Sequence, residues 1–358
     1  MSGQSAFIPA GVITALHSSA KEEPPSLPKF TQSTTPETHQ RVGLRDRAIG
    51  ALVGLAVGDA VGTTLEFKAR DSYQPLVTMI GGGPFHLKPG EFTDDMSMAL
   101  ALADSLLTDP ELDTADLMTR FISWRDDGEY SCVGHCFDIG TTVDRALDRY
   151  LQTGDPVAGL TDPNTAGNGS LMRLAPVAVL HWPDRAKLTL VASRQSITTH
   201  AAPEAVSACM AFADVLADAI KGQPRHEVLR PRSGDYAGKI APIMAGSWLG
   251  KPRTAIKSTG YVAHSLEAAL WAVHQTNDFR SAVLLAANLG GDADTTAAIT
   301  GQLAGTLYGL SAIPADWLAK LAWRERIMSL GEKLFQLSMV VPDQHERQCL
   351  DAVGRWPA

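Results

Sequence analysis

From Leu44 onward, apolar residues recur at three- and four-residue steps, and runs of β-branched residues in period two are almost absent. A chain of that texture can bury a stripe along a helix but not the alternating face of a sheet. The spacing predicts helices over 45–60, 97–108, 113–126, 138–151, 170–180, 184–196, 203–221, 261–275, 278–288, 294–309 and 315–338. Pro and Gly mark the joints, as in Gly81-Gly82-Gly83-Pro84, Pro89-Gly90, Asp109-Pro110 and Gly222-Gln223-Pro224. The expectation is an all-α fold: one compact helical domain over 44–340, with a flexible N-terminal extension at 1–43 and a C-terminal tail at 341–358. The extension is rich in Ser, Thr, Pro, Gln and Glu, including Glu22-Glu23-Pro24-Pro25, and cannot pack a core by itself.

With 358 residues of which 45% are hydrophobic, the domain has enough apolar side chain for a large interior. The net charge of −8 and the lack of a Lys/Arg block argue against a nucleic-acid groove or an anionic membrane surface as partner. No apolar run is read as a membrane span and no secretory signal is evident, so the expected location is the cytoplasm. The cysteines, at 132, 136, 209 and 349, do not form a disulfide framework. Cys132-x-x-x-Cys136 with His135 invites a zinc reading, but it lacks a second ligand pair, and free thiols are the better expectation.

Chemistry concentrates in a few short stretches. In Asn288-Leu-Gly-Gly-Asp-Ala-Asp-Thr-Thr296, two glycines lead into Asp292, Asp294 and Thr295 at the first turn of an Ala-rich helix. One helix cap needs one carboxylate, and here there are two. Far upstream, Thr93-Asp94-Asp95 repeats the pattern before another helix. Adjacent aspartates repel unless a cation sits between them. If the two clusters meet, Thr93, Asp94, Asp95, Asp292, Asp294 and Thr295 offer the hard oxygen ligands that suit Mg²⁺ or Mn²⁺. Asp59 lies inside the apolar run Gly54 to Gly62, either capping neighbouring backbone or supporting a metal ligand, and the glycines there allow close helix packing. Glu66 follows just past that helix, where an acid could act on a water. The loop Ala166-Gly-Asn-Gly-Ser-Leu-Met-Arg173 opens a further helix. Its N–H groups, with Ser170 and Arg173, could hold a phosphate, and a tight turn explains it equally well. His200 reads either as a satisfied core histidine or as a donor to a sugar or phosphate oxygen.

Taken together, Gly58-Asp59-Ala60, Glu66, Lys88-Pro-Gly-x-x-Thr-Asp-Asp95, Gly167-Asn-Gly-x-x-Met-Arg173, Thr199-His200 and Gly290-Gly-Asp-x-Asp-Thr295 resemble the ADP-ribosylglycohydrolase family over about residues 45–340. The resemblance implies an all-α fold with two divalent ions in a central cleft. Thr93, Asp94 and Asp95 would be ligands from one side, and Asp292, Asp294 and Thr295 from the other. It also implies Glu66 on the ribose or the attacking water, Asn168, Gly169, Ser170 and Met172 along the distal ribose and pyrophosphate, and His200 near the same ligand. Met96 and Phe92 depart from the residues many relatives carry, and neither departure removes a ligand. The implied activity is metal-dependent removal of ADP-ribose from modified protein, with the N-glycosidic bond to arginine favoured and Glu66 or Asp294 as the base. The alternative is an immunity protein that also binds a cognate ADP-ribosyltransferase toxin through residues 1–43. A weaker third reading is a two-metal hydrolase of a phosphate ester.

Overall fold

The computed structural model describes residues 43–340. Residues 1–42, which hold nearly all of the segment expected to serve as a partner-binding arm, and the tail at 341–358 lie outside the described residues. Among the described residues the fold is all-helical: α1 (Leu44–Gly62), α2 (Asp94–Thr108), α3 (Thr114–Asp127), α4 (Thr141–Thr153), α5 (Gly169–Met172), α6 (Ala175–His181), α7 (Arg185–Ile197), α8 (Pro203–Ile220), α9 (Arg225–Val228), α10 (Ile240–Met244), α11 (Val262–Gln275), α12 (Phe279–Ala287), α13 (Ala293–Tyr308), α14 (Ala315–Leu318) and α15 (Arg324–Val340). Among the described residues β-pairing is confined to isolated bridges such as Gly82 with Leu87 and Gly167 with Tyr261.

Several boundaries fall where caps put them. Asp113, Asp184 and Asp278 each accept backbone N–H groups at the start of α3, α7 and α12, satisfying donors that the first turn leaves free. Gly128 and Gly154 end α3 and α4 in left-handed conformation. The helix expected over 170–180 is two short helices that break at Arg173, with Pro176 in the first turn of the second. The one expected over 315–338 is likewise interrupted, by a turn whose Trp323 has φ 52°.

The organising contact is the antiparallel packing of α1 on α13. Gly50, Gly54, Gly58 and Gly62 recur every fourth residue and face Gly305, Gly301, Ala297 and Ala293 in turn. A Cβ on Gly54 would come to 2.2 Å from the Gly301 carbonyl oxygen, and one on Gly305 to 1.9 Å from that of Gly50. Four small residues at i, i+4 spacing let two backbones touch directly. Asp59 and Asp294 ride on these two helices, so their separation is set by backbone contact.

The sequence reading of no membrane-length apolar run needs correction. Leu44–Leu65 is long and apolar enough to cross a membrane by length and composition, and 94% of its most apolar window is buried inside the domain. Its hydrophobicity is accounted for by α1 lying at the centre, against α13, α12, α6 and α15, which leaves almost no polar face. Segment 222–260 mostly faces solvent. It contains α9 and α10, and its end reaches the site through Ser258.

Candidate active site

The two Thr/Asp clusters meet. Asp94 and Asp95 occupy the first turn of α2, and Asp294 and Thr295 that of α13. The Thr93 hydroxyl lies 3.5 Å from Asp294 Oδ2. Neither Thr93 nor Asp292, each the residue preceding its helix, caps it with its own side chain. The α2 cap comes from Asp59, whose carboxylate accepts from the Thr93 N–H at 3.0 Å, the Thr93 hydroxyl at 3.0 Å and the Met96 N–H at 3.0 Å. A carboxylate from the last turn of α1 thus fixes the start of α2 and leaves Asp94 and Asp95 unspent.

The glycines before Asp292 bend the chain into place. Gly290 and Gly291 both have φ 67°, a conformation that costs other residues energy. The Gly291 carbonyl accepts from the Phe67 N–H at 2.7 Å, and the Gly291 N–H donates to the Lys68 carbonyl at 2.8 Å. This two-way bond ties the residue after Glu66 to the loop that delivers Asp292. Ser258 donates from its hydroxyl to the Asp292 carbonyl at 3.0 Å. Asn168 donates from Nδ2 to Asp292 Oδ2 at 2.6 Å and to Ser265 Oγ at 2.9 Å, bringing the Gly-Asn-Gly loop against the acidic cluster.

Glu66, Asp294 and Asp138 present carboxylate oxygens within 4.8 Å of one another. Asp138 is the member of this acidic cluster that the sequence reading missed. The helix expected from 138 starts at Thr141, so Asp138 sits in the preceding loop with φ 59°. Its only sequence signal was an Asp two residues before a glycine.

Electrostatics mark this place. Burial, then the charges of Asp294, Asp94 and Asp292, push the Glu66 carboxyl up to about 10. Burial, then Asp94, Asp294 and Glu66, push Asp138 up to about 12. Asp94 and Asp95 are raised well above the usual carboxylate range by burial and by neighbouring aspartates, including Asp294 and Asp292. Asp292 rises to about 7, through burial and the charge of Asp294, with Asn168 and Thr295 opposing. Asp294 rises to about 6, through burial and the charge of Asp59, with hydrogen bonds from the Thr295 backbone and Asp138 opposing. Both oxygens of Asp95, Asp294 Oδ1 and Glu66 Oε2 are buried without a hydrogen-bond partner. Buried carboxylates are ordinarily paired or hydrogen-bonded. An acidic cluster with orphaned oxygens fits a hard cation.

The other expected contacts divide. Gly169 and Met172 are buried in the loop and short helix beside Asn168. The Ser170 hydroxyl is fully buried and accepts from Ser196 Oγ at 2.8 Å, so it packs the loop onto α7 and does not face a ligand. The phosphate reading of Arg173 is corrected. Its guanidinium is 0% exposed, bonded to the Gln195 side chain at 2.9 Å, the Gln195 carbonyl at 2.8 Å and Thr199 Oγ1 at 2.9 Å, and stacked over Phe121. Donors in a fixed fork suit such a junction, and the guanidinium, enclosed on every side, presents no face to an anion in solvent. His200 is a core histidine. It is buried, its Nδ1 bonds Thr199 Oγ1 at 2.9 Å, and its ring lies against Gly167 and Gly169, where a Cβ would come within 3.0 Å and 2.7 Å of it. Burial, with Arg173 nearby, holds it down at about 3, so it is a neutral spacer. Cys132 exchanges hydrogen bonds with the Phe92 backbone, and burial pushes it and Cys136 up to about 12. Both are free thiols.

Comparison with known proteins agrees with this geometry. The family model for ADP-ribosylglycohydrolase matches residues 40–343. ADP-ribosylarginine hydrolase Tri1 of Pseudomonas putida (strain GB-1) is 46% identical over 316 residues, which cover 88% of this chain and 85% of that one. The protein of the same description from Serratia proteamaculans (strain 568) is 46% identical over 293 residues, 82% of this chain and 80% of that one. ADP-ribosyl-[dinitrogen reductase] glycohydrolase of Rhodospirillum rubrum is 34% identical over 282 residues, 78% of this chain and 91% of that one. A solved structure described as an ADP-ribosylglycohydrolase-related protein complex superposes with TM-score 0.74 at 40% identity, covering 83% of this chain and 99% of that chain. With its acidic cluster between α2 and α13 and a family match across the whole helical domain, the chain belongs to the ADP-ribosylglycohydrolase family.

Proposed function

We propose that the protein hydrolyses the N-glycosidic bond between ADP-ribose and arginine on a modified protein. The observation that carries the reading is the acidic cluster: orphaned carboxylate oxygens from α2, α13 and the turn after α1, inside a chain 46% identical to two ADP-ribosylarginine hydrolases. Thr93, Asp94, Asp95, Asp292, Asp294 and Thr295 are the residues that would hold two divalent ions, Mg²⁺ or Mn²⁺. Such ions, when bound, would orient the ribose hydroxyls and offset the mutual repulsion of the aspartates.

The chain's own residues supply the rest. Asn168 keeps Asp292 turned toward the cluster and Asp59 keeps Thr93 in place; these are positioning residues. Glu66 Oε2 is buried and unpartnered; with bound cations offsetting the aspartate charges that hold its proton, Glu66 would be ionised and accept the proton of a water attacking the ribose anomeric carbon. The carbon–nitrogen bond breaks with its electron pair going to the guanidine, which then takes the proton from Glu66 and leaves as arginine. Asp138, within 4.8 Å of Glu66 and Asp294, is placed to hydrogen-bond the same water. Positioning accounts for much of the rate in this scheme.

The test is incubation with arginine-ADP-ribosylated protein and mass analysis of products. Free ADP-ribose and intact arginine are expected from the parent, with turnover lost in Glu66→Gln while ADP-ribose still binds. Release of inorganic phosphate instead would replace this reading with that of a phosphate-ester hydrolase. The toxin-binding role of residues 1–43 is a separate proposal. Deleting them should abolish toxin binding and spare hydrolysis, and unchanged binding would reduce the segment to a tail.

A further inference from the structure

Beside the carboxylates stands an aromatic wall that the scheme above does not use. Phe67 directly follows Glu66 and is 69% exposed, a large solvent exposure for a phenylalanine. Its backbone is tied to Gly291 and has φ 58°, a conformation rare for a bulky residue. Phe85 lies 6.3 Å from it at 73°, and Phe137 lies 5.1 Å from Phe85 at 58°. Phe137 directly precedes Asp138. Among the described residues few non-glycines have positive φ, and three of them, Phe67, His86 and Asp138, fall on the three segments that build this wall. Strain retained at adjoining segments points to a functional arrangement.

The interplanar angles indicate what the wall holds. A flat base stacks best between parallel faces, whereas these rings are tilted and edge-on to one another. Aromatic rings of differing tilt beside an acidic cluster suit a cation, as in an aromatic cage, better than a flat base. Phe67 and Phe137 are the chain neighbours of Glu66 and Asp138, whose carboxylates lie within 4.8 Å of each other, so the wall starts at the acidic cluster.

We propose that Phe67, Phe85 and Phe137 receive the guanidinium of the ADP-ribosylated arginine and so set acceptor specificity; this rests on the arginine-hydrolase reading. Phe67→Leu and Phe137→Leu keep apolar volume and remove the π face. Each should raise KM for an arginine-linked ADP-ribosyl peptide about 3- to 30-fold, with kcat within about threefold and ADP-ribose affinity by calorimetry unchanged. Phe67→Tyr should restore the parent KM. Methylguanidine should inhibit the parent competitively and the leucine variants weakly. A fall in ADP-ribose affinity parallel to the rise in KM would overturn the proposal, since the wall would then hold the nucleotide; so would an unchanged KM. If the parent released no ADP-ribose from arginine, the function would fall, and methylguanidine binding to the parent but not to Phe67→Leu would still decide for or against the cage.

Discussion

Replacing Gly301 by Ala tests whether backbone contact between α1 and α13 sets the active-site geometry. A Cβ at 301 would sit 2.0 Å from the Gly54 carbonyl oxygen and 2.8 Å from its carbon. Reaching an ordinary contact of 3.4 Å requires that oxygen to withdraw by 3.4 − 2.0 = 1.4 Å. The atom in the way is backbone, so no rotamer change relieves it. Overpacking of this kind costs about 3 kcal/mol, at the upper end of the usual range. The better helix propensity of alanine returns about 1 kcal/mol, leaving a net loss of about 2 kcal/mol. The same movement shifts Asp294, two turns from Gly301, relative to Asp59 and hence to Thr93. A displacement of about 1 Å at a reacting centre costs about 100-fold in rate. Urea denaturation and steady-state turnover measure both effects. Gly43→Ala is the control, since nothing lies within 4 Å of that position and its φ is −75°. Parent-like stability and turnover in Gly301→Ala would refute the argument that direct backbone contact holds the two aspartates at their working distance.

Three further outcomes follow from the site. Divalent cation at about 100 times its Kd should stabilise the parent by about 2.7 kcal/mol, read as a thermal shift with Mg²⁺ or Mn²⁺. Asp95→Asn, which removes a carboxylate whose oxygens are both unpartnered, should abolish most of that shift and raise the stability of the ion-free protein. Arg173→Met should cost about 3 kcal/mol, because Gln195 and Thr199 lose buried charge-assisted bonds; Arg173→Lys should not restore it, and a variant of parental stability but raised KM would return the residue to a ligand role. The folded state keeps His200 neutral down to about pH 3, whereas the unfolded chain protonates it near 6.5. Acid therefore favours unfolding through this window, by about 2 kcal/mol at most at pH 5. Replacing His200 with Gln should shrink the difference in urea midpoint between pH 7 and pH 5 by up to that amount, and an unchanged difference would mean that the ring titrates normally in the fold.

Local chemistry was legible in the chain itself. Helical periodicity gave the all-α class, and Gly-Asp and Thr-Asp-Asp runs marked α1, α2 and α13, because helices and their caps are decided by residues a few positions apart. Glycine spacing in α1 also announced a close helix contact, though not its partner. The residues that proved misleading were those whose role depends on distant neighbours. Arg173 reads as an anion ligand beside a Gly-Asn-Gly loop until Gln195, Thr199 and Phe121 are seen to enclose it. Asp138 looked like the start of a helix until the fold brought it to Glu66 and Asp294.

What the sequence by itself determined was an inventory: which helices form, which turns need glycine, and which stretches carry hard oxygen ligands. Only the tertiary structure decided that Asp59 spends its carboxylate on capping α2 while Asp95 keeps both oxygens free. The reason is that desolvation and charge repulsion act through space. The same carboxylate is a solvated surface group, a helix cap or a cation ligand according to what the packing of α1 against α13 places beside it.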